Sequence, residues 1–149
     1  LDKKLRSLGP DLLTEDVGFD TFSSCLLRGK RGKKTIAENL MNQSVVSGIG
    51  NYLKAEILYE AKISPWRTCD SLTDRELRSI LESSKKMIRL SYELGGATLR
   101  DYRNPNGDKA KFSRRFAVYG WDRDLTGRRV VKEKTPDKRT THWCPEVQK

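Results

Sequence analysis

A pair of glycines followed by a helix-forming run occupies the centre of the chain, in Gln43-Ser44-Val45-Val46-Ser47-Gly48-Ile49-Gly50-Asn51-Tyr52-Leu53-Lys54-Ala55-Glu56. Gly48 and Gly50 carry no Cβ atom, so the backbone there can approach a ligand closely. The first N–H groups of the helix that follows lack acceptors within it, and such helix starts attract anions. We therefore predict a backbone clamp for a sugar-phosphate strand. A tight turn that binds nothing is the alternative, because a Gly-x-Gly pattern alone is weak evidence.

The charge of the chain favours a polyanionic partner. Its 149 residues include 30 Lys and Arg against 20 Asp and Glu, which gives a formal net charge of +10 and a pI near 9.7. The cations cluster at 28–34, at 114–115 and along 128–139, a distribution typical of nucleic-acid binding. The sequence contains no run of 18 apolar residues and no signal-peptide pattern, so we expect neither membrane attachment nor secretion.

The cysteines indicate an intracellular protein without a metal site. Cys25, Cys69 and Cys144 are an odd set with wide spacing, which fits neither a disulfide framework nor a zinc centre. His142 is the only histidine, so four zinc ligands would require distant carboxylates. We predict no metal and no cofactor, and a location with genomic DNA, which is the nucleus in a eukaryotic cell.

Helix signals fill the first part of the chain. A Ser/Thr-x-x-Glu capping box opens one helix at Thr35 and another at Thr73, where the Glu is three residues further on. The helix after the glycines should stop before Ser64-Pro65, since the residue preceding a proline disfavours helix. The predicted helices cover about 19–27, a segment from Thr35, 51–62, and a long segment from Thr73 to Gly95-Gly96.

Strand signals follow from residue 112. We predict a strand over 112–119 and a hairpin of 129–133 with 139–143, joined by the turn Thr135-Pro136-Asp137-Lys138. A two-stranded hairpin is marginal in water alone, so it must rest on the helices, on nucleic acid or on a domain outside this chain. The predicted fold is mainly α with a small β-hairpin, divided into a helical domain 1–111 and a hairpin domain 112–149.

Four motifs in fixed order resemble the C-terminal half of the formamidopyrimidine-DNA glycosylase/endonuclease VIII family. They are the central run 43–56, Gly95-Gly96-Ala97-Thr98-Leu99-Arg100-Asp101-Tyr102, Val118-Tyr119-Gly120, and the closing segment 139–149. The resemblance covers about Leu8 to the last residue. It implies a helix-two-turns-helix bundle followed by a hairpin finger, and a monomer that binds double-stranded DNA containing an oxidised base or an abasic site.

The resemblance also implies which residues contact DNA. Asn51 matches the phosphate-binding asparagine of the family, acting with the N–H groups near Gly48 and Gly50. Arg139 matches the finger arginine, whose planar fork suits two phosphate oxygens. Lys33 and Lys34 match a basic cluster of the family, less specifically. The alternatives are a helix N-cap for Asn51 and a solvated hairpin charge for Arg139.

The finger departs from the commoner family pattern, in which four cysteines bind zinc. Cys144 lies where the third cysteine would be, Val147 replaces the fourth, and the first pair is absent. This resembles the zincless-finger subgroup related to endonuclease VIII-like proteins, which tends to act on oxidised pyrimidines. Side chains such as Val130, Val131 and Trp143 would then hold the hairpin in place of a metal.

The catalytic residues of the family have no counterpart in this sequence. The resemblance implies chemistry by the free amine of an N-terminal proline, with an adjacent glutamate as the acid. The sequence begins Leu1-Asp2-Lys3, and its only Pro-Glu pair, Pro145-Glu146, is internal. We expect the N-terminal β-sandwich half, with its catalytic residues, to be separate. The chain would then be the DNA-binding half of a bifunctional DNA glycosylase/AP lyase, inactive alone, with the loop 101–111 covering the flipped base.

Two other classes of function stay open. A non-catalytic binder, such as a ribosomal helix-two-turns-helix protein, would explain the charge and the glycine turn but neither 95–102 nor the finger. A lyase that acts alone would need a nucleophile within the chain, such as a lysine of lowered pKa, and no position in the sequence marks one out.

Overall fold

The computed structural model describes residues 8–93 and 116–149, which form four helices followed by a two-stranded hairpin. Short 3₁₀ turns cover Gly29–Lys33 and Cys69–Ser71. The predicted fold, mainly helical with a small hairpin, is confirmed. None of the helices in these ranges has the length and apolarity of a membrane span. The elements are α1 (Phe19–Leu27), α2 (Ile36–Met41), α3 (Asn51–Ala61), α4 (Asp74–Glu93), β1 (Val131–Lys134) and β2 (Thr140–Trp143).

Side-chain caps start two of the helices where the sequence predicts. The Thr35 hydroxyl accepts the Glu38 N–H at 3.2 Å before α2. Before α4 the capping box is complete, because Thr73 Oγ1 accepts the Glu76 N–H at 3.1 Å and the Thr73 N–H donates to Glu76 Oε1 at 2.9 Å. α3 ends at a left-handed residue, Lys62. The predicted stop of α4 at 95–96 lies outside the described residues.

The main core forms between α1, α2, α3 and α4. The 3.6-residue period of α4 turns one apolar face inward, while α3 is buried from Leu53 to Leu58 and packs against α4 on one side and β2 on another. This central position makes α3 the element on which the hairpin rests. The fully buried side chains of this core include Phe22, Leu26, Ile36, Leu40, Val45, Ile57, Leu58 and Ile80.

The hairpin is antiparallel, with Val131 opposite Trp143 and Lys134 opposite Thr140. Its turn lies at the predicted Thr135-Pro136-Asp137-Lys138, closed by a 2.8 Å bond from the Lys138 N–H to the Thr135 carbonyl. Lys138 has a φ of +67° there. A second apolar cluster joins the hairpin to α3 and contains Ala55, Val118, Val130 and Cys144. The hairpin is thus supported by the helices of this chain.

The strand predicted over 112–119 is wrong for residues 116–119, which form a bend and a turn. Glu56 of α3 accepts the N–H groups of Ala117, Val118 and Tyr119 at 2.6, 3.0 and 3.0 Å. Three successive N–H groups that converge on one carboxylate cannot alternate in direction, as a strand ladder requires. Residues 112–115 lie outside the described ranges, as does the predicted boundary between residues 111 and 112, which stays a prediction.

Candidate nucleic-acid interface

The glycine turn before α3 is braced by a glutamine. Gly48 has a φ of +97°, and its N–H donates to Gln43 Oε1 at 3.0 Å. Gln43 Nε2 in turn donates to the Ile49 carbonyl at 3.1 Å, and the Ile49 side chain is buried. The buried Ile49 side chain thus anchors the turn in the core, and the role of Gln43 was not predicted from the sequence. The Gly48 N–H is already used by this brace.

The start of α3 presents N–H groups without a side-chain cap. Gly50 is the N-cap residue and supplies no side chain, and the first helical bond runs from the Lys54 N–H to the Gly50 carbonyl at 2.9 Å. A Cβ atom at Gly50 would meet no atom within 4 Å in the described part of the chain. Among the described residues, nothing therefore fills the space beside Gly50 at the positive end of α3, an arrangement that favours a bound anion.

Asn51 links this helix start to the hairpin. It is the first residue of α3, so the N-cap alternative does not describe it. Its Nδ2 donates to the Thr140 carbonyl of β2 at 3.0 Å, and its Oδ1 is buried without a hydrogen-bond partner among the described residues. An amide nitrogen carries two hydrogens, so one donor remains for another acceptor.

Arg139 lies next to Thr140, at the end of the hairpin turn, and its side chain is exposed. Its backbone carbonyl accepts from the N–H and the hydroxyl of Thr135 at 3.1 and 3.2 Å. Within the described ranges its guanidinium makes no hydrogen bond and no ion pair. The bond from Asn51 to Thr140 therefore brings the two predicted phosphate contacts into one place.

Lys33 and Lys34 lie at the end of the first 3₁₀ turn, each in a surface ion pair. Lys33 Nζ is 3.3 Å from Asp70 Oδ2, and Lys34 Nζ is 3.9 Å from Glu38 Oε2. A hydrogen bond from Thr68 and the pairing with Lys33 lower the pKa of Asp70. Such exposed pairs contribute little to stability, so a phosphate could replace the carboxylate. In the described part, no hydrogen bond or ion pair joins these lysines to residues 48–51.

A buried ion pair that the sequence did not predict joins α3 to the hairpin turn. Lys54 Nζ lies 2.6 Å from Asp137 Oδ2, and the two side chains are 0% and 2% exposed. Burial lowers the pKa of Lys54, the hydrogen bond and charge of Asp137 oppose this, and the charge of Arg139 lowers it further. The available signal was a lysine within a helix whose other residues are mostly apolar.

Val118-Tyr119-Gly120 is held between α3 and β2. Besides the three N–H groups that Glu56 accepts, the Gly120 N–H donates to His142 Nδ1 at 2.7 Å. The Tyr119 and His142 rings stack with centroids 4.8 Å apart and planes 18° apart. Glu56 and His142 are thus supporting residues of the interface that sequence analysis did not assign, although a carboxylate in the apolar run of α3 was a usable signal.

The assembled site holds donors and cations in fixed positions. Uncapped N–H groups, one amide donor and one exposed guanidinium lie around the start of α3, and such groups bind phosphates without reading bases. The other predicted basic pair, 114–115, the motif 95–102 and the loop 101–111 lie outside the described residues. The fold is that of a helix-two-turns-helix domain, and the site presents the donors and the cation that suit the phosphates of a nucleic-acid backbone.

Sequence comparison gives the family. A sequence model described as the formamidopyrimidine-DNA glycosylase H2TH domain matches residues 8–103, and the chain belongs to that family. Formamidopyrimidine-DNA glycosylase of Listeria monocytogenes serotype 4b is 33% identical over 150 residues, which cover 99% of this chain and 54% of the relative. The protein of the same name from Thermus thermophilus is 36% identical over 149 residues, 97% of this chain and 54% of the relative.

Solved structures of the same family share the fold. A mutant of the Lactococcus lactis protein in complex with a Fapy-dG containing DNA superposes with a TM-score of 0.79 at 27% identity, over 99% of this chain and 54% of that one. MutM (Fpg) from Thermus thermophilus superposes with a TM-score of 0.77 at 29% identity, over 97% of this chain and 55% of that one. The chain spans about half the length of the curated relatives it matches.

Proposed function

We propose that the chain is the DNA-binding half of a base-excision DNA glycosylase/AP lyase that removes oxidised bases. The observation that carries this proposal is the uncapped start of α3 with Asn51 and Arg139 beside it. Relatives named formamidopyrimidine-DNA glycosylase and a similar structure with a Fapy-dG containing DNA support it. The protein would act as a monomer on genomic DNA, with double-stranded DNA carrying an oxidised base or an abasic site as its partner.

The work of this half is to hold the duplex while a damaged base leaves the stack. Unstacking a base requires a few kcal/mol, which contacts to the backbone must offset. Two attachments on different elements suit this task, because α3 and the hairpin can grip the strand at separate phosphates. Lys33 and Lys34 would add contacts further along the backbone.

Catalysis would come from an N-terminal domain outside this sequence. The family resemblance implies an N-terminal proline amine and a neighbouring glutamate as catalytic groups, and this chain spans about half the length of its curated relatives. Borohydride trapping on abasic DNA tests this division of labour. The 149-residue chain should form no covalent adduct, and a trapped adduct would identify a nucleophile within it.

We further propose that the finger is zincless and, from the resemblance to the zincless subgroup, that the protein prefers oxidised pyrimidines. Glu133 Oε1 accepts from the indole N–H groups of Trp143 and Trp66 at 2.7 and 2.6 Å. Val130 and Cys144 pack on Ala55 of α3. These contacts support a hairpin held by side chains in place of a metal.

Substitution of Asn51 tests the proposed clamp. Asn51→Ala removes a donor to phosphate and should weaken binding to duplex DNA by about 1–3 kcal/mol in a fluorescence titration. Asn51→Asp keeps the size of the side chain but adds a negative charge, so this variant should lose more affinity for duplex DNA than Asn51→Ala. Circular dichroism of each variant controls for folding, and an unchanged affinity of both folded variants would contradict the clamp.

Comparison of ligands separates this proposal from a structural nucleic-acid binder. The proposal expects duplex DNA with an abasic site to bind more tightly than structured ribosomal RNA of equal length. The reverse order would favour a binder of the ribosomal type.

A further inference from the structure

Three charged residues, Asp137, Lys138 and Arg139, follow one another at the end of the hairpin turn, and a fourth, Lys54 of α3, contacts Asp137. Asp137 and Arg139 lie two residues apart in the chain, and Lys54 reaches Asp137 from below the turn at 2.6 Å. Asn51, one helical turn before Lys54, binds Thr140. α3 therefore contacts the hairpin on both sides of Arg139, at Asp137 through Lys54 and at Thr140 through Asn51.

The charges in this group are unequally partnered. Asp137 is buried, bound by Lys54 and by the Thr135 hydroxyl, while the exposed Arg139 guanidinium makes no ion pair within the described ranges. Arg139 lies two residues beyond Asp137 in the hairpin, and Asp137 is the residue that Lys54 contacts at 2.6 Å. A buried carboxylate that loses its partner attracts the nearest remaining cation, because an unpaired buried charge is strongly unfavourable.

We propose that Lys54 is a positioning residue for DNA binding: by pairing with Asp137 it leaves the Arg139 guanidinium available to a DNA phosphate. The inference rests on the proposed function, since it assumes that Arg139 binds DNA. Without Lys54, Asp137 and Arg139 would neutralise each other across the turn. The Arg139 guanidinium would then no longer be available to bind a DNA phosphate, although Arg139 itself is unchanged.

A purely structural ion pair would behave differently. If Lys54 and Asp137 only stabilised the hairpin, removal of either charge would break the same bond and affect DNA binding similarly. If Lys54 instead prevents Asp137 from pairing with Arg139, removal of the lysine lets Asp137 pair with Arg139 and weakens the contact of Arg139 with phosphate. Removal of the aspartate leaves the Arg139 guanidinium available to a phosphate. The two explanations therefore differ in whether the two substitutions have symmetrical effects.

The test compares Lys54→Met with Asp137→Asn in the 149-residue chain, with binding of duplex DNA measured against salt. Lys54→Met and Arg139→Ala should each weaken binding about tenfold, and in each the slope of log affinity against log salt should become shallower by about 0.9, the loss of one phosphate contact. Asp137→Asn should keep the wild-type slope. Adding Arg139→Ala should change nothing further in the Lys54→Met background, but should weaken binding in the Asp137→Asn background.

A second variant guards against misfolding. Lys54→Met/Asp137→Leu replaces the pair by apolar side chains, which is often tolerated, and it should recover the wild-type slope. Equal losses for Lys54→Met and Asp137→Asn, or a full Arg139→Ala effect in the Lys54→Met background, would overturn the inference alone. Wild-type binding that does not depend on salt or on Arg139 would overturn the proposed function, and this inference with it.

Discussion

At the scale of single residues, the two glycines of the central turn have different tasks. Gly48 needs its positive φ of +97°, a conformation that favours glycine. Gly50 has a φ of −100°, which any residue can adopt, and a Cβ atom there would enter open space. The fold thus requires glycine at 48, whereas glycine at 50 serves as the N-cap of α3 and leaves space beside the backbone for a ligand.

This difference predicts the behaviour of Gly50→Ala. The free energy of unfolding should change by less than about 1 kcal/mol, because alanine is a somewhat poorer N-cap than glycine. Affinity for duplex DNA should fall about tenfold, equivalent to about 1.4 kcal/mol, because the methyl group occupies the space of the phosphate. Urea denaturation and a fluorescence titration measure the two effects.

Gly18→Ala is the matched control for this substitution. Gly18 is the N-cap of α1, also has no side-chain cap, and also faces open space. Its substitution should have a similar effect on stability and none on DNA affinity. Equal affinity losses for both variants would show that the effect of Gly50→Ala is not local.

At the scale of elements, the sequence predicted best where a local interaction determines the structure. The hydroxyls of Thr35 and Thr73 each accept an N–H from the first turn of the helix that follows, and both helices begin as predicted. The segment 116–119 was mispredicted because a distant residue, Glu56, takes three of its N–H groups. Periodicity in sequence carries no information on such a contact across 61–63 positions.

The capping box of α4 predicts a pH dependence of stability. Hydrogen bonds from Arg67 lower the pKa of Glu76 below its ordinary value of 4.5, against the opposing effect of burial. Because the folded pKa is the lower one, the stabilisation is complete above pH 4.5 and is lost as the pH falls through the folded value. Glu76→Gln should therefore lower the free energy of unfolding by about 1–2 kcal/mol at pH 7 and by less in acid.

Urea denaturation at several pH values tests this prediction. Glu82→Gln, an exposed residue on the same helix, is the control and should change the stability little at any pH. A difference between wild type and Glu76→Gln that stays constant from neutral pH into acid would contradict the prediction.

The hairpin predicts the result of metal analysis. Since Glu133 binds two indoles and Val130 and Cys144 pack on α3, the finger should fold without zinc. Mass spectrometry of the native protein or atomic absorption should find no stoichiometric zinc, and a chelator should leave the unfolding midpoint unchanged. One bound zinc per chain would contradict the zincless finger.

At the scale of the whole molecule, the net charge of +10 predicts a strong salt dependence. The logarithm of DNA affinity should fall with the logarithm of salt concentration at a slope of about −0.9 per phosphate neutralised. Removal of both charges in Lys33→Ala/Lys34→Ala should reduce the steepness by nearly 2 if each lysine contacts a phosphate. Affinity that is independent of salt would exclude binding through the backbone.

A second lysine pair provides the control. Lys85 and Lys86 are adjacent on α4 and, like Lys33 and Lys34, form surface ion pairs, with Asp16 and Glu60. Lys85→Ala/Lys86→Ala removes the same net charge from a different surface. Equal changes of slope for the two double variants would mean that the effect comes from overall charge and not from a contact.

The sequence predicted the members of the site better than their arrangement. The sequence analysis predicted the glycine turn, Asn51 and Arg139 as parts of the site. In the structure, the hydrogen bond from Asn51 to Thr140 joins the turn and α3 to the hairpin that carries Arg139. The braces were missed, because Gln43, Lys54 and Glu56 act through partners that are near in space but, for Lys54 and Glu56, far apart in the chain. For Lys54 and Glu56, the available signal in the sequence was a polar side chain in a mostly apolar helix.

Three residues of α3 that contact other parts of the chain lie close together, and this affects how the proposed DNA contacts are spaced. Asn51, Lys54 and Glu56 lie within six residues, about 7.5 Å along the axis of one rigid helix. If Asn51 and Arg139 bind DNA as proposed, the protein fixes the spacing between these two contacts, and the duplex would have to adapt its shape to that spacing. A weakened base step that kinks easily would adopt this shape at a lower energy than an intact step. The protein would then discriminate between DNA sites by their stiffness before it contacts any base.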